Sequence, residues 1–293
     1  MDALRAYLQL AKPRIIVLLG ITCFAGSLVA TKGNFGLLQP LPILLALVGL
    51  CFSAAGANAL NMWWDRDIDP LMVRTRTRPL PTGKLKPHQA IVFGVVFIGL
   101  GTLVAGLAHP LAGAMALSGA VFYVAVYTML LKRNTVQNIV IGGAAGAFPP
   151  LVGWAAVQGD LSTPLPWLMF AIIFLWTPPH FWALALMANR DYTKAGVPMY
   201  PVVKGEPATR LAMVRYVALL VPVTMAGGLM PPLGGLYSAV ALGLGVWWGY
   251  GTWQLLHAPH STAEDQRPAR KVFKQSLLYL ALIFLAMVVD TWL

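Results

Sequence analysis

Nine runs of apolar residues recur along the chain, at roughly 15–33, 41–63, 89–108, 111–131, 138–157, 166–188, 211–229, 233–255 and 274–292. Each is close to the about 20 apolar residues that a helix needs to cross a bilayer. Neither an alternating strand pattern nor a one-sided helical stripe describes them; they are apolar all round, as membrane helices are. Gly33-Asn34-Phe35-Gly36, His109-Pro110 and Met230-Pro231-Pro232 punctuate them with turn chemistry. The expectation is an all-α polytopic membrane protein of about nine transmembrane helices, organised as one domain over 1–293. Its longest polar segments, 64–88, 189–210 and 256–273, are expected to be loops.

Composition agrees. Hydrophobic residues make up 58% and charged residues 11%, against roughly 25% charged in ordinary soluble domains. Disorder is excluded by the same balance. Cys23 and Cys51 both lie in apolar runs, so neither a disulfide framework nor a cysteine metal site is available. The net charge of +11 raises nucleic acid as a partner. The placement of the charges argues against it. Of 21 lysines and arginines, all but Lys32 fall before the first run, in the even-to-odd connections that share its side, or at the opening of the run that follows such a connection. That asymmetry is the positive-inside pattern and assigns the N-terminus and the crowded face to the cytoplasm. Ala25-Gly26-Ser27 is loosely like a signal-peptide cleavage site, but an uncleaved first helix is the simpler expectation for a multispan chain.

The second run ends in Asn58-Ala-Leu-Asn61-Met-Trp-Trp-Asp65-Arg-Asp-Ile-Asp69-Pro70. On a helix turning about 100° per residue, with Asn58 at zero, Asn61, Asp65 and Asp69 fall near roughly −60°, −20° and +20°, and Asp67 on the opposite face. Two amides and two carboxylates thus share a stripe at a membrane border, ending by Asp69 because Pro70 disfavours helix in the residue before it. Ionisable groups at membrane depth are functional candidates. Hard oxygen donors suit Mg²⁺, which typically takes one or two carboxylates plus substrate phosphates. The competing reading is ion pairing with nearby arginines. Arg74-Thr-Arg76-Thr-Arg78 follows; guanidinium forks suit phosphate, and also lipid headgroups.

Asn61-x3-Asp65-x3-Asp69 followed by Arg-Thr-Arg-x-Arg-Pro-Leu-Pro-x-Gly resembles the first aspartate-rich motif of the UbiA superfamily of intramembrane prenyltransferases. Tyr127 to Trp154, with Lys132-Arg133, Gly142-Gly143 and Pro149-Pro150, resembles the fourth-to-fifth helix region of that superfamily. Trp176-Thr-Pro-Pro-His180-Phe-Trp and Ala195-Gly-Val-Pro-Met199 resemble its haem-farnesylating branch. The resemblance implies nine helices around a central cavity capped by cytoplasmic loops, and Mg²⁺-assisted ionisation of farnesyl diphosphate. It implies transfer to a vinyl group of protohaem IX (haem B), with addition of water to give haem O, in the bacterial inner membrane. By that resemblance Asn61, Asp65 and Asp69 hold Mg²⁺ and diphosphate, with Asn58 behind them, and Lys132, Arg133 and Tyr127 are diphosphate neighbours.

The chain departs from the family in lacking a second Asp-x3-Asp after the sixth run, where it has Asn189 and Asp191. Asp191 is the carboxylate left for a second metal position. His180, after Pro178-Pro179, is open between a haem contact and a structural hydrogen bond. Pro149-Pro150 and Pro178-Pro179 are both expected to kink their helices. Rival readings are a sister prenyltransferase with an aromatic or quinone-precursor acceptor, and a cation-coupled transporter using Asp65 and Asp69. A bis-histidine haem carrier needs two intramembrane histidines and His180 stands alone in that respect. A terminal-oxidase assembly partner on the cytoplasmic loops stays open.

Overall fold

The computed structural model describes residues 2–259 and 266–293. Among these every regular element is helical. A short helix α1 (Asp2–Ala11) precedes α2 (Pro13–Ala30), α3 (Pro40–Trp64), α4 (Pro87–Ala108) and α5 (Pro110–Val121). After it, α6 (Asn138–Gly142), α7 (Pro149–Gln158), α8 (Pro164–Met187), α9 (Asn189–Lys194), α10 (Tyr200–Met225), α11 (Gly235–His257) and α12 (Arg267–Trp292) complete the chain. Proline opens most of the long helices, where its missing N–H costs nothing and its fixed φ suits the first turn.

Eight helical passages are long and apolar enough to cross a membrane by length and composition. The ninth expected run is present as α11, a helix of 23 residues without Lys, Arg, Asp or Glu. Its glycines, tryptophans and tyrosines lower its hydropathy, and this is why it falls outside the eight. Two loop expectations are corrected. Segment 189–210 is largely helical, because α9 occupies its start and α10 begins at Tyr200, bending at Gly205 (φ 77°) ahead of Pro207. Likewise α12 begins at Arg267 rather than near 274.

Glycines let the helices meet closely. A methyl on Gly49 of α3 would lie 2.7 Å from the carbonyl oxygen of Gly101 on α4, and one on Gly26 of α2 would lie 2.8 Å from Cα of Pro150 on α7. Between membrane helices such backbone approach replaces the hydrophobic drive available in water. The fifth passage breaks where its prolines demand: α6 ends at Gly142, a 3₁₀ stretch covers Gly143–Ala147, and Pro149 restarts the helix. By contrast α8 runs on through Pro178 and Pro179 to Met187 as one continuous helix. Residues 122–131, which continue α5, form a π-helical stretch (Phe122–Leu131). That wider winding, uncommon and concentrated at functional places, sets one wall of the site.

Candidate functional site: an acidic cluster ringed by cations

Helix α3 ends at Trp64, with Asp65 as its C-cap (ψ 5°). The stripe continues through turns: the Asp69 amide donates to the Asp65 carbonyl at 2.9 Å, which preserves the four-residue spacing without a regular helix. Asn61, Asp65 and Asp69 are all buried, Asp65 completely. The Asn61 amide donates to Asp65 Oδ2 at 2.9 Å and to Thr128 Oγ1 at 3.1 Å. Thr128 in turn donates to the Tyr123 carbonyl at 2.8 Å, and the Lys132 amide to the Tyr127 carbonyl at 2.8 Å. Both bonds span five residues. The π winding therefore lines Tyr123, Tyr127, Thr128 and Lys132 along the wall that meets the acidic stripe.

Lys132 Nζ lies 2.5 Å from Asp65 Oδ2. Arg133 Nη2 lies 3.6 Å from Asp65 Oδ1 and 2.9 Å from the Trp64 carbonyl, which it caps. Arg78 Nη1 reaches both Asp69 oxygens, at 2.8 and 2.9 Å. Burial pushes the Asp69 carboxyl above the usual carboxylate range, outweighing the pull of Arg78. Asp65 Oδ1 is buried and has no hydrogen-bond partner, with Arg133 beyond hydrogen-bond distance at 3.6 Å, an arrangement that costs free energy unless a closer cation completes it. Among the described residues no group of three or more His, Cys, Asp or Glu side chains is close enough to hold a metal ion. An ion at Asp65 would thus draw its remaining ligands from the Asn61 amide, Asp69 and substrate phosphate oxygens, the set Mg²⁺ favours.

Asp67 projects outward as expected, its side chain 59% exposed, yet it grips Arg133 in a two-pronged pair at 2.7 Å on each arm. The guanidinium holds its carboxyl below the usual range. Asp67 thus orients a residue of the site from outside. Its pair is largely solvated and contributes about 0.2–1 kcal/mol. Asp67→Ala should lower turnover by less than about tenfold, since Arg133 keeps Trp64 and Asp65 as partners. A loss in kcat as large as that of Asp65→Ala would contradict this division of roles.

The other sequence candidates separate. Asn58 donates to the Ala11 carbonyl at 3.0 Å, anchoring α1 rather than touching the carboxylates. Asp191 accepts from the Val73 amide at 3.1 Å, and Arg74 lies 3.5 Å from the Tyr192 hydroxyl. Both tie α9 to the arginine loop. Below them Ile68 and Met72 pack with Val197 and Met199, so Ala195–Met199 forms the floor of that loop. Tyr127 stacks on Tyr123, centroids 5.7 Å apart. A methyl on Gly142 would lie 3.0 Å from Tyr127 Cγ. Gly142→Ala should displace the ring, cost about 1–3 kcal/mol of stability and depress activity; unchanged thermal unfolding and turnover would show that α6 yields there freely.

His180 is not joined to the acidic cluster by any of its contacts. Its ring lies between Trp176 (4.2 Å) and Phe273 (4.7 Å), and Nδ1 is 2.7 Å from Ser276 Oγ. Ser276 spends its one hydroxyl proton on the Phe273 carbonyl at 2.6 Å. It therefore accepts from His180 Nδ1–H, which leaves the lone pair on Nε2.

Three contributors escaped the sequence reading. Thr128 and Asn138 sit unremarked in apolar runs; Asn138, buried, donates to the Lys132 carbonyl (3.4 Å) and to the Pro198 carbonyl (3.3 Å). Lys12, on sequence, reads as a topological charge alone. Its Nζ donates to Asn61 Oδ1 at 2.9 Å and lies 3.4 Å from the Tyr123 hydroxyl. Burial, then the nearby Arg78 and Lys132, push its pKa well down. The signal available was Lys12-Pro13, a cation pinned at the mouth of the first span.

Residues 19–289 match the profile of the UbiA prenyltransferase family. The chain belongs to that family. It is 49% identical over 290 residues to the protoheme IX farnesyltransferase of Gloeobacter violaceus, covering 99% of this chain and 92% of the relative. It is 50% identical over 291 residues to the protein of the same name from Synechocystis sp., covering 98% and 89%. Among solved structures, digeranylgeranylglyceryl phosphate synthase superposes with a TM-score of 0.81 at 21% identity, covering 100% of this chain and 99% of that one. A UbiA homologue from Archaeoglobus fulgidus bound to DMAPP and Mg²⁺ gives 0.69 at 17% identity, covering 96% and 98%. These two show the UbiA fold. The all-helical prenyltransferase architecture implied by the aspartate-rich motif is thus the architecture present, in an integral membrane protein.

Proposed function

We propose that this protein transfers the farnesyl group of farnesyl diphosphate to a vinyl group of haem B, with addition of water, to give haem O. The observation that carries the reading is Asp65: fully buried, one oxygen held by Lys132 and Asn61, the other without a hydrogen bond and 3.6 Å from Arg133. Near-half identity over almost the whole chain to relatives named protoheme IX farnesyltransferase supports the acceptor.

Mg²⁺ bound by Asn61, Asp65 and Asp69 would neutralise charge on the diphosphate. Lys132, Arg133 and Arg78 supply fixed positive charge where the departing oxygens become more anionic, the kind of preorganised stabilisation that dominates such steps. The C1–O bond breaks and its electron pair leaves with the diphosphate. The vinyl π pair forms the new C–C bond, the oxygen of water bonds to the remaining vinyl carbon, and the water loses a proton. Tyr123, Tyr127 and the apolar helices keep bulk water from the farnesyl cation before transfer. On the acceptor side, the His180 Nε2 lone pair is available to the haem iron. The positive-inside pattern supports a cytoplasmic N-terminus and a cytoplasmic-side site in a bacterial inner membrane.

Product analysis of the purified protein in lipid nanodiscs, given farnesyl diphosphate, Mg²⁺ and haem B or 4-hydroxybenzoate, tests this. Haem carrying one farnesyl group and one water supports the proposal. Unmodified haem beside prenylated 4-hydroxybenzoate would assign the sister reaction instead.

A further inference from the structure

Charges around the acidic stripe do not balance locally. Arg78 pairs with Asp69, and Lys132 with Asp65. Lys12 has no carboxylate partner among the described residues; the acceptors at its ammonium are the neutral Asn61 Oδ1 and the Tyr123 hydroxyl. It also lies 5.9 Å from the Tyr123 ring centroid. A half-buried ammonium whose hydrogen-bond acceptors are neutral, with Arg78 and Lys132 near it as well as Asp65 and Asp69, is incompletely compensated. An anion placed among the three would relieve it.

The backbone is arranged to put Lys12 there. Its φ is 56°, in the left-handed region that L residues seldom adopt, directly ahead of Pro13. That turn folds α1 back so that Ala11 accepts from Asn58 of α3, and Lys12 then reaches Asn61 one helical turn further on. Strain of this kind persists where surrounding structure demands it, often at ligand sites. Asn61 bridges Lys12 through its oxygen and Asp65 through its nitrogen, so Lys12 stands two hydrogen bonds from the carboxylate proposed to anchor the substrate.

We propose that Lys12 binds the diphosphate of the prenyl donor, adding the N-terminal segment to a phosphate grip otherwise built from the second-to-third and fourth-to-fifth helix connections. This rests on reading the cluster as a prenyl-diphosphate site. When Asn61 turns its oxygen to a cation or to substrate, the ammonium exchanges that neutral acceptor for a phosphate oxygen.

The test compares wild type, K12M and K12R in nanodiscs. Each is titrated calorimetrically with farnesyl thiolodiphosphate and with inorganic diphosphate, both with Mg²⁺, and by Soret absorbance with haem B. K12M should weaken both anions by about ten- to a hundredfold, the worth of one charge-assisted hydrogen bond. It should leave haem affinity within about twofold, and K12R should recover most of the anion affinity. Wild-type anion affinity in K12M overturns the role of Lys12 and leaves the prenyltransferase reading standing. Parallel loss of haem binding in K12M also overturns it, by assigning Lys12 to holding α1 in place. A wild-type protein that binds neither anion brings down the diphosphate site itself.

Discussion

Asp65→Ala is expected to lower kcat by about a thousandfold, at the upper end of what one preorganised electrostatic group supplies. The variant removes the oxygen that has no hydrogen bond and also the partner of Lys132, whose ammonium sits 2.5 Å away. Leaving a largely buried cation unpaired costs about 3 kcal/mol of stability. Turnover and unfolding should therefore be measured together. Asp65→Asn separates the two: it keeps the shape and a contact to Asn61 but loses the charge. Its kcat should fall nearly as far while its unfolding midpoint recovers part of the deficit. If Asp65→Asn turns over like wild type, the carboxylate is not gripping a metal–diphosphate complex.

Lys132→Met is the second large effect. Methionine fills the same volume without charge, so buried Asp65 is left with only the longer contact to Arg133 while the leaving group loses a fixed cation. About a hundredfold loss in kcat is expected, accompanied by a weaker apparent affinity for farnesyl diphosphate. Lys132→Arg should rescue only in part, because a planar fork cannot occupy the short single contact that the ammonium makes to Asp65. Single-turnover rates with saturating donor distinguish slowed ionisation from weakened binding. An unchanged single-turnover rate would place Lys132 in topology alone.

The helices and the first acidic motif were legible because both rest on local pattern. Apolar runs have the length of a bilayer, and Asn61-x3-Asp65-x3-Asp69 keeps its spacing even after α3 gives way to turns at Asp65. Asp67 was only half legible. Its outward face followed from the spacing, but its grip on Arg133 joins positions 66 residues apart, and no helical wheel carries such information. The π stretch was hidden for a related reason. Apolar runs look alike whether bonds close at four residues or five, so Thr128 read as one more lipid-buried residue rather than the acceptor for Asn61. Lys12 was masked by a more general explanation, since any cation before a first span satisfies the positive-inside pattern. Only its left-handed backbone and inward ammonium distinguish it. Asn58 shows the converse: a residue on the right stripe spends its amide on Ala11 and the docking of α1.

In the proposed reaction, oxygens of Asn61, Asp65 and Asp69 hold the donor's diphosphate through a divalent cation. Electron paramagnetic resonance of Mn²⁺, used in place of Mg²⁺, reads this directly. With farnesyl thiolodiphosphate present, wild-type protein should immobilise Mn²⁺ stoichiometrically, and Asp65→Asn should leave it as the fast-tumbling complex that the diphosphate forms in solution. Equal Mn²⁺ binding by the two proteins, or binding indifferent to the diphosphate, would rule out a cation held by Asp65 against the substrate.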